Sequence, residues 1–184
     1  STGREAIRTR QLEQLRALLS TARPANSFYE SKLGDASIDK TIGSLEEFST
    51  RCPFTTKDEL ATDQQANAPY GTNLTFPLEQ YNRIHQTSGT SGKPLRWLDT
   101  PESWQTMLEN WKLVFSAAGV TETDRTLFAF SFGPFIGFWM AYEAAAQMGC
   151  LCFPGGGLSS ATRLRILLEN EVTTLCCTPT YALR

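Results

Sequence analysis

The chain has 184 residues, 41% of them hydrophobic, with 17 Lys and Arg against 19 Asp and Glu and a formal net charge of −2. That length supports one substantial domain with a sizeable core. The mild acidity leaves no basic footprint for nucleic acid, no apolar run approaches the roughly 20 residues of a membrane span, and the polar stretch 1–10 lacks a signal-peptide core.

The first part of the chain reads as helical. Residues 4–20 carry Ile7, Leu12, Leu15, Leu18 and Leu19 as one broad apolar face. Residues 21–43 are turn-rich, with Pro24, Gly34 and Gly43. Ser44-Leu45-Glu46-Glu47 is a capping box opening a short helix, which Pro53-Phe54-Thr55-Thr56 breaks. Thr56-Lys57-Asp58-Glu59 is a second capping box, and 62–80 reads as a loop. Asn73-Leu74-Thr75 matches a glycosylation sequon, but nothing else in the chain points to secretion.

The pattern changes near Tyr81. Tyr81 to Gln86 and Leu95 to Leu98 read as two neighbouring strands joined by a glycine-containing loop. Thr100-Pro101-Glu102 is a helix start, followed by Trp104, Met107, Leu108, Trp111, Phe115 and Ala118 at helical spacing and closed by Gly119. Strand and helix then alternate: strand Thr126–Phe130, helix Phe135–Met148, strand Cys150–Phe153, helix Ser160–Asn170 and strand Thr173–Cys177. Continuous apolar runs predict strands buried on both faces, and the alternation predicts a parallel sheet with right-handed crossovers. The fold class is therefore α/β: a helical segment at 1–80, then a mostly parallel sheet with flanking helices at 81–184.

The five cysteines, Cys52, Cys150, Cys152, Cys176 and Cys177, have neither zinc-finger spacing nor an even count. Four lie in apolar runs. They read as inert thiols in a reducing, cytoplasmic setting.

The most informative stretch is Thr87-Ser88-Gly89-Thr90-Ser91-Gly92-Lys93-Pro94, with four hydroxyls, two glycines and one lysine. Glycines let backbone N–H groups approach an anion, hydroxyls donate, and lysine adds charge. A nucleotide triphosphate suits such a loop; a polar turn between strands is the other reading. It is not a Walker A loop, because Thr87 stands where that motif needs Gly and Pro94 where it needs Ser or Thr.

The loop and its surroundings resemble the adenylate-forming superfamily, and more closely the phenylacetate–CoA ligases. Pro53-Phe54-Thr55-Thr56-Lys57, Arg83-Ile84-His85, Phe130-Ser131-Phe132-Gly133-Pro134-Phe135, Met148-Gly149-Cys150, Gly155-Gly156-Gly157 and Thr178-Pro179-Thr180-Tyr181 follow in the expected order. The resemblance implies an AMP-forming ligase that joins an aryl or arylacetic acid to CoA through an acyl adenylate, using ATP, Mg²⁺ and CoA. It implies that Thr87, Ser88, Gly89, Thr90, Ser91, Gly92 and Lys93 hold the ATP phosphates, and that Phe132, Gly133 and Phe135 line an acyl pocket. No residue of the chain is assigned as a metal ligand. His85, the sole histidine, either touches phosphate or substrate or is structural. Gly155–Gly157 reads as a strand–helix loop rather than a phosphate cradle.

Ser91 stands where the superfamily often has Thr, which keeps the hydroxyl. The superfamily's downstream acidic motif, ribose-holding aspartate, hinge and small domain with a catalytic lysine are not found. The chain is therefore expected to be an N-terminal fragment, inactive alone, with its catalytic residues downstream of Arg184. Apolar faces on the helices at 135–148 and 160–170 are expected to be partly uncovered and to favour a homodimer or looser association. A non-catalytic scaffold and an enzyme loading a carrier-protein thiol are the rival readings; no membrane or nucleic-acid partner is expected.

Overall fold

The computed structural model describes residues 2–87 and 94–183. They form two compact units, one from the described residues of Ser1–Tyr81 and Gly89–Leu98, the other from those of Asn82–Ser88 and Asp99–Arg184.

The first unit is helical. Helix α1 spans Thr2–Ala25, α2 Ser27–Asp35, α3 Leu45–Arg51 and α4 Lys57–Ala66. Leu19, Leu33, Ile38 and Ile42 are its buried centre, with Leu12, Leu15, Tyr29 and Phe48 packed around them. The α1 face is narrower than expected. Leu12, Leu15 and Leu19 turn inward, whereas Ile7 and Leu18 are 59% and 62% exposed. At about 100° per residue, Leu18 lies a quarter turn off the buried stripe.

Helix α2 occupies a region that reads as turns in the sequence. Its N-cap is Asn26, whose side chain accepts from the Tyr29 N–H at 3.1 Å. The same buried amide donates to Asn73 Oδ1 at 2.9 Å and Thr75 Oγ1 at 3.2 Å. The sequon residues are thus engaged in structural hydrogen bonds. Of the two capping boxes, the Thr56–Glu59 box is complete. At α3, Ser44 accepts from the Glu47 N–H, but the Glu47 carboxylate reaches the Gly43 N–H instead of that of Ser44. Helix α4 runs to Ala66, into the expected loop. Asp63 near its end accepts from the Thr72 N–H and hydroxyl, both at 2.7 Å, folding the following segment back.

Strands β1 (Arg83–Gln86) and β2 (Arg96–Asp99) flank residues 88–93, which lie outside the described residues. Gln64 brackets the β2 end of the first unit, accepting from the Arg96 N–H at 3.0 Å and donating to its carbonyl at 2.7 Å.

The second unit is α/β. Helix α5 (Pro101–Ala117) starts at a Thr100 cap whose hydroxyl accepts from the Ser103 N–H. Strand β3 (Arg125–Phe128), helix α6 (Ile136–Gln147), strand β4 (Leu151–Pro154), helix α7 (Ser160–Glu169), strand β5 (Thr174–Cys176) and the short α8 (Pro179–Ala182) follow. The sheet order is β4-β3-β5, and both pairings are parallel. The α/β expectation and its parallel sheet hold. Only the central strand is buried, however: Thr126, Leu127 and Phe128 are fully enclosed, whereas Leu151 of β4 and Leu175 of β5 are exposed. An apolar run marks a strand but not how many neighbours cover it. The core joins Trp104, Leu108 and Phe115 of α5 to Phe128 and Phe130, with Ala141, Ala144 and Ala145 giving α6 a slim contact face.

Candidate functional site

Of the loop residues singled out in the sequence, Ser88, Gly89, Thr90, Ser91, Gly92 and Lys93 lie outside the described residues; Thr87 is described and follows β1 directly. What the structure displays is how the strand entering the loop is held.

Alternation in β1 sends Arg83 and His85 to the same side. Arg83 forms a two-pronged ion pair with Glu143 of α6, at 2.8 and 2.9 Å. The Trp104 indole N–H donates to the same carboxylate, at 2.8 Å to Oε2. The Arg83 guanidinium carbon sits 4.5 Å from the Trp104 ring centroid, and the His85 ring stacks on Trp104 at 4.9 Å and 17°. His85 Nδ1 lies 3.3 Å from Asp99 Oδ2, while Asp99 Oδ1 accepts from the Ser103 hydroxyl. The Asn82 N–H donates to the Asp99 carbonyl at 3.1 Å, at the entry to β1. His85 is 4% exposed. A cleft of about 220 Å³ lined by Arg83, Ile84, His85 and Trp139 lies beside this cluster.

The last residue of β1 touches the aromatic segment. The Gln86 N–H donates to the Pro134 carbonyl at 2.9 Å. Gly133 has φ of +48°, and a Cβ there would meet the Phe135 ring at 3.2 Å, so the bend needs glycine. The Trp139 indole N–H donates to the Gly133 carbonyl at 2.8 Å. Phe132 packs 4.8 Å from Trp139 and 5.4 Å from Tyr142, between ring centroids, and Phe135 lies 5.9 Å from Phe138. Phe132 and Phe135 are half-buried, whereas Phe128 and Phe130 belong to the core. The structure thus brings the aromatic turn to the end of the strand that leads into the loop.

The triple-glycine turn after β4 is a packing device. A Cβ on Gly155 would meet the Phe128 carbonyl oxygen at 2.6 Å, and one on Gly156 would meet Phe132 at 3.3 Å. Glycine lets this turn close onto the carboxyl end of β3, where ligands bind in open parallel sheets. Arg163 Nε donates to the Gly155 carbonyl at 2.9 Å, and its guanidinium lies 5.0 Å from the Tyr181 ring centroid.

Trp104, at core spacing in the sequence, is indeed in the core, and Glu143 carries no assignment in the sequence reading. The signal for Glu143 was present, since it is the one charged residue of α6.

No protein-family model matches the chain. Phenylacetate-coenzyme A ligase of Pseudomonas putida is 27% identical over 97% of the chain, and that of Thermus thermophilus 29% identical over 97%. The chain is similar to the phenylacetate-coenzyme A ligases. It spans about 40% of the length of those two relatives. Among solved structures, 2-hydroxyisobutyryl-CoA ligase with 2-HIB-AMP and CoA, in its thioesterification state, superposes with a TM-score of 0.90 at 24% identity. That match covers 97% of this chain and 38% of the ligase. An open conformation of the same ligase gives 0.88, over 96% and 41%. The chain shares the fold of these ligases over the matched residues. The phenylacetate-coenzyme A ligase resemblance thus extends over nearly the whole chain, as its ordered motifs imply.

Proposed function

We propose that this chain serves the AMP-forming ligation of an aryl or arylacetic acid to CoA, with residues 87–93 holding the β,γ-diphosphate of ATP. The observation that carries the reading is the loop motif in the sequence of a chain similar to phenylacetate-coenzyme A ligases over 97% of its length. A carboxylate oxygen attacks the α-phosphorus, the bond to the bridging oxygen breaks, and pyrophosphate leaves. The CoA thiolate then attacks the acyl carbon and AMP departs. Donors fixed around the leaving diphosphate stabilise the charge it gains. Mg²⁺ bound with the ATP would add further neutralisation of the phosphate charge. Phe132, Gly133 and Phe135 are proposed to line the acyl pocket, where an aryl ring has ring contacts that a short aliphatic acid lacks.

Since the chain spans about 40% of its relatives' length, these 184 residues are expected to bind nucleotide but to turn it over weakly or not at all. Titration calorimetry with MgATP, followed by ATP–pyrophosphate exchange with phenylacetate, 2-hydroxyisobutyrate and acetate, tests the reading. Lys93→Ala and Gly89→Ala should weaken MgATP binding. In any preparation that supports exchange, Lys93→Ala should lose roughly 2–4 kcal/mol of transition-state stabilisation. Unaltered nucleotide binding in both variants would overturn the loop assignment. Equal kcat/KM for phenylacetate and acetate would overturn the aryl pocket.

A further inference from the structure

Strand β1 is anchored by polar groups on the face where a strand is ordinarily held by apolar side chains. Arg83 and His85 face the interior of their unit, and the contacts they make converge on Glu143 and Trp104. Glu143 is the sole charge on an otherwise apolar helix, and its carboxylate takes three donors from two elements. A buried face already sets a strand's register, and a two-pronged guanidinium–carboxylate pair, which has one geometry, adds a directional constraint to it. A one-residue slip of β1 would also reverse its faces, putting Ile84 where Arg83 pairs with Glu143. The Gln86 N–H bond to the Pro134 carbonyl pins the far end of the same strand, one residue before Thr87.

We propose that Glu143, with Trp104, is a positioning residue for the phosphate loop: through Arg83 it fixes the register of β1 and so where residues 87–93 begin. The inference rests on the reading of those residues as the ATP phosphate site. Neither Glu143 nor Trp104 touches the nucleotide in this scheme. A displacement of about 1 Å at groups that position a reacting ligand can cost about 100-fold.

The test uses Glu143→Gln, which keeps the volume but loses the charge, and Trp104→Phe, which keeps a ring under His85 but loses the N–H donor. MgATP affinity is measured by titration calorimetry and melting temperature in parallel. The expected result is a Kd for MgATP raised about 10-fold or more by Glu143→Gln. Trp104→Phe should move it in the same direction by less. Arg83→Met combined with Glu143→Gln should be no weaker than the worse single variant, because both act through one pair. A merely structural role would lower the melting temperature and leave the Kd of the folded molecules unchanged. Wild-type Kd values in the folded variants would therefore overturn the inference alone. If Glu143→Gln does not fold, Trp104→Phe decides by the same criterion. An absence of MgATP binding by the wild-type chain would overturn the phosphate-loop reading and this inference together.

Discussion

Burial pushes the thiols of Cys152 and Cys176 up to about 11, with the neighbouring cysteines adding to the shift. At neutral pH such thiols are about one part in ten thousand thiolate. They are poor nucleophiles and all five cysteines are free, but only Cys150 is buried; the other four are half-buried, Cys152 and Cys176 because the strands that carry them, β4 and β5, are covered on one side only. Under native conditions at pH 7, a thiol reagent should label Cys152 and Cys176 far more slowly than after unfolding; mass spectrometry of the alkylated peptides reads this directly. Rapid native labelling of either would contradict the raised thiol values. His85 illustrates the same dependence on setting. A lone histidine beside a phosphate-type motif invites a chemical role. The structure shows its ring stacked on Trp104 and its Nδ1 3.3 Å from Asp99 Oδ2, contacts that hold it in place beside the cleft it lines.

At the scale of elements, the clearest device is the α4 capping box and its link to α2. Glu59 accepts from Lys32 Nζ at 2.5 Å and from the Thr56 N–H at 2.7 Å. The Lys32 hydrogen bond first, and the Thr56 backbone and hydroxyl bonds after it, bring the Glu59 carboxyl down from 4.5 to about 2. The folded value is below the unfolded one, so the contribution is fully present above pH 4.5 and is lost as pH falls towards 2. Wild type should therefore exceed Glu59→Gln in urea stability at pH 7, with the gap closing between pH 4.5 and about 2. A gap that stayed constant down to pH 2 would refute this. The Glu47 carboxyl at the α3 cap is likewise held below its ordinary range, by the Gly43 N–H first and the Arg51 side chain next, so a stability gap to Glu47→Gln should also close in acid. Helix α2 makes a complementary point. Its nine residues contain a glycine and only a modest apolar pattern; Asn26 and the packing of Leu33 on α1 hold it.

At the scale of the whole molecule, several apolar side chains of the α/β unit remain uncovered. Leu164 and Leu168, four residues apart on α7, are 59% and 81% exposed. Exposed leucines in one helix row favour association. Light scattering of the 184-residue chain should show mass rising with concentration, and Leu164→Glu with Leu168→Glu should suppress the rise. A monodisperse monomer throughout would refute the expectation. No described helix is long and apolar enough to cross a membrane.

Much of this protein was written in local pattern. Capping residues marked the starts of α3, α4 and α5, glycines closed α5 and α6, and apolar runs marked the strands, because each depends on neighbours within a few residues. The strand–helix alternation was enough for a parallel sheet, since only crossover connections join parallel neighbours. The loop motif was likewise legible as donor density along the chain. Tertiary structure alone decided the rest. It chose which of α1's leucines are buried, stabilised α2 through Asn73 and Thr75, and left β4 and β5 half-covered. It also joined Arg83 to Glu143 across 60 residues. An ion pair formed across that distance leaves no periodic trace in sequence. A lone acid in an apolar helix shows only that some partner is needed, and the fold supplies which one.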